Sequence, residues 1–471
     1  MDETTYDVIV IGGGPVGENV ADRAVRGGLT AALIESDLYG GECSYWACMP
    51  SKALLRPGQA LREAQHVRGA LAGPAALDPS EVFARRDAVA HDWDDTGQAR
   101  WAPASGIVTV RGHGRLAGPR RVTVAGPDGA ETTLTARHAV VVATGTDASV
   151  PDIEGLRAAR PWTSREATSA RSAPGRLAVI GGGVVATEMA TAYASLGSAV
   201  TLIARSGVLT NLEPFAGEAV ADGLRALGVE IVTGESPTRV TRTDGEVTIE
   251  TSGGRTVVAD EVLAATGRSP RTVDLGLETV ELEPGTWLAV DDTMLVEGFD
   301  WLYAAGDVNH RALLTHQGKY QARAAGDVIV ARAKGEPVDD GAWGAHVATA
   351  DHTAVPQVIF TDPEVAAIGV TEAQARAAGT DIAVVDYDLG WVAGASLYAD
   401  DYAGRAKMVV DESRGVVIGV TLVGPAVAEL LHAATTAVVG EVPIARLWHA
   451  VPAYPTISEV WLRLLEAYRD R

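Results

Sequence analysis

Cys43 and Cys48 are the only two cysteines in a chain of 471 residues. They stand in one run, GGECSYWACMPSKALL from Gly40 to Leu55, with four residues between them. Two thiols this close can work as a dithiol–disulfide pair, or they can ligate a metal. A pair falls short of the set a structural zinc site needs, and no metal is expected. Pro50 marks the start of a helix, where its missing N–H costs nothing. Both thiols are then expected on or near the first helical turn, sharing a face and able to form a disulfide. A helix N-terminus lowers a thiol pKa below its usual ~8.5 and favours the nucleophilic thiolate. The plainer reading is a pair of buried packing residues. Tyr45 and Trp46, between the thiols, are read either as lining for a substrate pocket or as core filling.

Thiol chemistry of this kind needs an electron source, and a repeat elsewhere in the chain suggests one. VIVIGGGPVGENVADRAVRGGLTAALIES (Val8–Ser36) and LAVIGGGVVATEMATAYASLGSAVTLIAR (Leu177–Arg205) match each other closely. Each reads as strand, glycine turn, amphipathic helix and second strand, a βαβ unit written twice. Gly12 and Gly181 permit the tight turn. Gly14 and Gly183 let the backbone approach a pyrophosphate, and Gly17 and Ala186 allow close packing of helix on strand. Free N–H groups at each helix N-terminus suit phosphate. Glu35 ends the second strand ~20 residues past the first glycines, where a carboxylate binds ribose hydroxyls. The equivalent position in the second copy is Ala204, followed by Arg205. Loss of the carboxylate and gain of a guanidinium fit the 2′-phosphate of NADP. The bland alternative for Arg205 is a solvated surface charge. Two further strands run into ATG, at Thr144–Gly145 and at Gly267. DWLYAAGDV ends in Gly306–Asp307, a tip able to approach a ribityl or phosphate chain, or simply a turn.

Composition narrows the class. A formal net charge of -22 disfavours nucleic acid and anionic membrane surfaces. Apolar residues make up 47%, which argues for a globular chain, and 471 residues are too many for one core, so two to four domains are expected. No uncharged apolar run approaches ~20 residues, so no membrane span is expected. The amino terminus shows no basic leader. A soluble cytoplasmic protein is the expectation. GVVIGVTLVGPAVA (Gly415–Ala428) reads as a strand leading into a helix.

Together these motifs resemble the pyridine nucleotide–disulfide oxidoreductases, the flavoprotein family of glutathione reductase, dihydrolipoamide dehydrogenase and mercuric reductase. The likeness runs over essentially the whole chain. It implies an α/β fold, with two Rossmann-like dinucleotide-binding domains plus a C-terminal α+β dimerisation domain. The implied segments are 1–152 and 272–348 for FAD, 153–271 for NAD(P) and 349–471 for dimerisation. FAD and NADP are the implied cofactors, with NAD as the alternative. The resemblance makes Cys48 the thiol facing the flavin and Cys43 the interchange thiol. Lys52 matches the lysine beside the flavin, Glu188 its ion-pair partner, and Asp307 the acid of the second FAD motif. It also implies a homodimer whose active site is completed by the partner subunit.

Two departures stand out. The family's H-P-T-x-x-E reads YPTISE here, with Tyr454 in the His position ahead of Glu459. A phenol of pKa ~10 donates hydrogen bonds but is a poor base beside an imidazole of pKa ~6.5. His449, five residues earlier, is the alternative acid/base if a turn brings it near; the plainer reading is a structural histidine. The second departure is the aromatic insert between the cysteines. Mercuric reductase is similar in carrying Tyr at the His position, but it also needs C-terminal cysteines that this chain lacks. The expected function is reduction of a small disulfide or other thiol-reactive substrate by NADPH, or the reverse dithiol oxidation. The alternatives are an NADPH:quinone or other small-acceptor reductase, and a redox-sensing flavoprotein without turnover.

Overall fold

The structure, a computed structural model, describes residues 4–471; Met1–Glu3, the start of the run read for a leader, lie outside the described residues. The chain forms two compact units. One comprises Met1–Met49, Asp87–Ala148 and Arg268–His352; the other comprises Pro50–Arg86, Ser149–Gly267 and Thr353–Arg471. Residues 50–86, inside the first segment expected from sequence, thus belong to the second unit.

The first unit is built on β1 (Thr4–Ile11), α1 (Pro15–Arg26) and β2 (Ala31–Glu35). β1 pairs in parallel with β2 on one side and with the strand Glu131–Val142 on the other. Val8 and Val10 enter one apolar cluster, while Ile9 and Ile11 enter another. Such alternation between two buried faces marks a central parallel strand. The C-terminal half of Glu131–Val142 pairs in parallel with Leu302–Ala304, and its N-terminal half carries an antiparallel strand at Arg121–Ala125. The tips of β1, β2, Glu131–Val142 and Leu302–Ala304 all lead into residues that line one cavity, at Gly12, Ser36, Thr144 and Gly306. A parallel sheet binds its ligands at this end.

The second unit repeats the theme with a parallel sheet in the order Glu230–Thr233, Ala199–Ala204, Arg176–Ile180, Glu261–Ala264. The two glycine turns hydrogen-bond alike: Gly12 N–H donates to Ile34 O and Gly181 N–H to Ile203 O, each at 2.9 Å. The same unit holds a five-stranded antiparallel sheet from Gln357 to Gly424. The run expected to go from strand to helix does so, through Val416–Gly424, a short turn at Val427–Leu430, and the helix Leu431–Val439. These elements give the α/β class with two dinucleotide-type sheets and a C-terminal α+β portion. Among the described residues, no helix is long and apolar enough to cross a membrane.

A buried ion triad holds part of this unit together. Lys407, 8% exposed, lies 3.0 Å from Glu213 and 2.8 Å from Glu372. Replacing Lys407 by Met strands the Glu213 carboxylate, itself 3% exposed, without a counter-charge. The expected cost is about 3–5 kcal/mol, read as a lowered midpoint in urea unfolding. An unchanged midpoint would show that solvent reaches the triad and screens it.

Candidate active site

The cysteine segment docks on the first glycine turn. Gly40 N–H donates to Gly13 O at 2.8 Å. Gly40 and Gly41 both have positive φ, 103° and 59°, and a Cβ on Gly41 would stand 2.7 Å from the Gly14 Cα. Cys43 lies on α2 (Gly41–Tyr45), which Trp46 ends at a φ of −136°. Cys48 is the first residue of α3 (Cys48–Gln65). The thiols therefore sit on two successive helices, Cys48 at the first turn of α3 and Cys43 on the short helix just before it. The reason is the Trp46 backbone, which leaves the helical region and closes α2 after five residues. Pro50 is buried in the first turn of α3, where a missing N–H is harmless. Pro57, deeper in α3, deprives the Ala53 carbonyl of its helical donor, and Arg85 Nη1 takes that place at 3.1 Å.

Both cysteines are half-buried. Cys48 Sγ is 3.3 Å from Thr315 Oγ1, at the first residue of the helix Thr315–Lys334. Cys43 lines a cavity of about 440 Å³ in the first unit. Tyr45 is core, 1% exposed, with its hydroxyl donating to Tyr39 O at 3.1 Å. Trp46 instead contributes to the cavity wall. The pair of readings for these aromatics thus divides, one to each residue.

Gly12, Gly14, Glu35, Thr144, Gly145 and Gly306 line the same cavity, as does Asp307. Gly12 has φ +110°, and a Cβ there would meet Ala143 O at 2.3 Å. A Cβ on Gly17 would meet Gly12 O at 1.9 Å, which is the close helix–strand packing the motif requires. Gly14 differs: its backbone is extended and a Cβ would be 3.7 Å from its nearest neighbour. Among the described residues nothing demands glycine at 14, which leaves a ligand passing close to the backbone as the demand. Thr144 Oγ1 is buried without a hydrogen-bond partner among the described residues. An orphaned hydroxyl, a glycine cradle and the N-terminus of α1 together fit a dinucleotide. Glu35 is fixed at the strand end by the amides of Gly13 and Asp37, each at 2.7 Å. Asp307 accepts from Thr146 Oγ1 at 2.9 Å, and burial pushes its carboxyl above the ordinary carboxylate range against Thr146 and Arg268.

The second unit holds the other site residues. Lys52 Nζ lies 2.8 Å from Glu188 Oε2, and Glu188 Oε1 accepts from Phe360 N–H at 3.1 Å. Gly181 has φ +133° and would clash with Ala265 O at 2.1 Å if it carried a Cβ. A Cβ added at Gly183 would meet no non-neighbouring atom within 4 Å among the described residues, and Gly183 caps the helix Val184–Ser195. Ala186 is fully buried on that helix. Ala204 is buried, Arg205 is exposed, and no ion pair of Arg205 occurs among the described residues. Gly267, with φ +137°, is exposed and its carbonyl accepts from Ser149 N–H.

At the C-terminal end, Tyr454 is 76% exposed. Glu459 is buried and its Oε1 accepts from Arg463, while its Oε2 is buried without a partner among the described residues. The structure thus pairs Glu459 with Arg463 rather than with Tyr454. His449 is exposed. Sequence reasoning missed Thr315, Thr146, Glu42 and the arginines at 268 and 271. Only the GRSP run after Thr266 hinted at the first of those arginines.

Residues 6–328 match the family model described as pyridine nucleotide-disulphide oxidoreductase, and residues 355–464 match the dimerisation domain of that family. The chain is similar to the mercuric reductase of Acidithiobacillus ferrooxidans, at 33% identity over 96% of this chain and 80% of that protein. It is similar to the dihydrolipoyl dehydrogenase of Haloferax volcanii, at 30% identity over 98% and 96%. Among solved structures, the Cu(II) complex of the HOCl-induced flavoprotein disulfide reductase RclA from Escherichia coli shares the fold. The TM-score is 0.84 at 24% identity, covering 99% of each chain.

Proposed function

The chain belongs to the pyridine nucleotide–disulphide oxidoreductase family, and from that premise we propose that it is an NADPH-dependent reductase of a small disulfide or similar thiol-reactive substrate. Membership makes it a flavoprotein disulfide oxidoreductase with FAD and a pyridine nucleotide as redox partners. The observation that carries the finer reading is Cys43 on the wall of the cavity that bears the dinucleotide features, with Cys48 held against Thr315.

FAD, when bound in that cavity, supplies two-electron exchange between the nicotinamide and the cysteine pair. Gly14 and the N-terminus of α1 would receive its pyrophosphate, Glu35 a ribose, and Thr144, Gly145, Gly306 and Asp307 the rest of the chain. Lys52 is held in one place by Glu188 and presents a fixed positive charge. In the dithiol form, the Cys43 thiolate attacks one sulfur of the substrate disulfide and expels the first thiol. Cys48 then attacks Cys43 in the mixed disulfide, releases the second thiol and closes the Cys43–Cys48 bond. Each departing sulfur takes up a proton. Tyr454, offered by a partner subunit, would steady the departing sulfur by hydrogen bonding, and Glu459 paired with Arg463 would brace its segment.

A homodimer accords with the large side chains exposed within the dimerisation region: Trp391 at 75%, Leu397 at 70%, Val451 at 84% and Tyr454 at 76%. Supporting the proposed segments 1–152, 153–271, 272–348 and 349–471 is the spread of the two dinucleotide-type sheets and the C-terminal sheet along the chain. We place the protein in the cytoplasm, where a dithiol form is maintained.

NADP is favoured over NAD by the carboxylate-free strand end at Ala204 and the exposed Arg205. An anaerobic titration with NADPH and with NADH tests this. The expected result is uptake of one electron pair by the flavin and a second by the disulfide, with NADPH the better reductant. Arg205→Ala should weaken NADPH about tenfold against NADH. Equal use of both nucleotides by wild type would remove NADP preference from the proposal. A second reading, direct reduction of a quinone or other small acceptor, is favoured by one observation: a phenol stands where the family places its imidazole.

A further inference from the structure

The helix that carries Cys43 is too short to hold itself. α2 spans five residues and has no side-chain N-cap, and an isolated single turn is unstable in water. Its position must come from outside. One brace is Trp93, whose indole Nε1 donates to Tyr45 O at 3.1 Å. Trp93 is delivered by a left-handed turn, with His91, Asp92 and Trp93 at φ 50°, 51° and 57°. Consecutive non-glycine residues in that region are strained and persist only where surrounding contacts compensate.

A second brace is ionic. Glu42, the residue before Cys43, accepts from Arg268 Nη2 at 2.6 Å. The same nitrogen donates to Thr146 O at 2.8 Å. Arg271 Nη2 lies 3.7 Å from the same Glu42 oxygen, while its Nε holds Asp147 at 2.6 Å. Glu42 and Arg268 are each only 20% exposed, so the pair is shielded. The other acids on this wall are Glu35, Asp37, Asp147, Asp274 and Asp307, and His113 lines it as well.

Resting on the redox-pair reading above, we infer that Glu42, held between Arg268 and Arg271, is a positioning residue for Cys43 and sets the charge that its sulfur feels. The carboxylate anchors α2 to the strand pair at Thr146–Ala148 and Arg268–Pro270. It also cancels guanidinium charge one residue from the thiol. Removing either side of the pair has opposite electrostatic consequences. Glu42→Gln leaves Arg268 with only Asp307, 3.9 Å away, and Arg271 with only Asp147 as counter-charge, which raises the positive potential near Cys43 and favours its thiolate. Arg268→Met leaves an under-compensated carboxylate and disfavours it.

The test is the rate at which iodoacetamide labels Cys43 in the dithiol-reduced, flavin-loaded protein, followed by peptide mass spectrometry across a pH series. Glu42→Gln should label about threefold faster than wild type at neutral pH, and Arg268→Met about threefold slower, with the pH midpoint moving down and up respectively. A purely structural brace would shift both variants the same way, and that result overturns the inference, as does no shift in either. If Arg268→Met fails to retain flavin, Arg271→Met supplies the slower arm. Should wild-type Cys43 take no label after reduction while the protein still consumes NADPH, the redox-pair reading fails first and carries this inference with it.

Discussion

Cys43→Ser is expected to lose reduction of disulfide substrates by about a thousandfold or more, while keeping its flavin. Serine matches cysteine in shape, and three ties that hold α2 leave the Cys43 sulfur out: Glu42 to Arg268, Tyr45 hydroxyl to Tyr39 O, and Trp93 to Tyr45 O. Folding and the cavity wall should therefore survive. A serine hydroxyl is scarcely ionised at neutral pH, so no nucleophile remains to open a substrate disulfide. Anaerobic titration of the variant should show one electron pair fewer than wild type. Full electron uptake, or undiminished turnover with the physiological acceptor, would refute the disulfide route and leave direct acceptor reduction as the function.

The second large effect is at Gly12. Substitution by Val forces a β-branched residue to φ +110° and drives its Cβ to within 2.3 Å of the Ala143 carbonyl oxygen. Backbone strain contributes about 1–3 kcal/mol, and overpacking contributes about 1–3 kcal/mol more. The chain must move Gly12 or the Ala143–Thr144 strand end, and both belong to the cavity wall. Purified Gly12→Val is expected to be nearly colourless. Gly28→Val is the control, since Gly28 also has positive φ, +82°, but nothing lies within 4 Å of its Cβ position. That variant should lose stability and keep its flavin. Flavin retained in full by Gly12→Val would mean that the first glycine turn does not shape the dinucleotide site.

The βαβ repeats, the glycine turns and the lone cysteine pair were legible before any coordinates. Their chemistry is local: a positive φ at Gly12 or Gly181, a buried Ala186 or an apolar strand follows from a few neighbouring residues. The Lys52–Glu188 juxtaposition was legible only through resemblance, since 136 residues separate the partners. The break at Trp46 that puts the two thiols on successive helices was not legible, because nothing in the composition of the segment marks it. Tyr45 and Trp46 are alike on paper, yet one fills the core and the other faces the cavity.

By itself the sequence determined that this chain makes two dinucleotide-type folds and keeps one redox-capable cysteine pair. Short-range sterics and side-chain chemistry are enough for that. Only the tertiary structure decided that Arg268 reaches Glu42 across 226 residues and that Trp93 meets the carbonyl of Tyr45. Those contacts depend on how strand ends converge, and that convergence follows from the packing of whole sheets and helices, which no local window of residues contains.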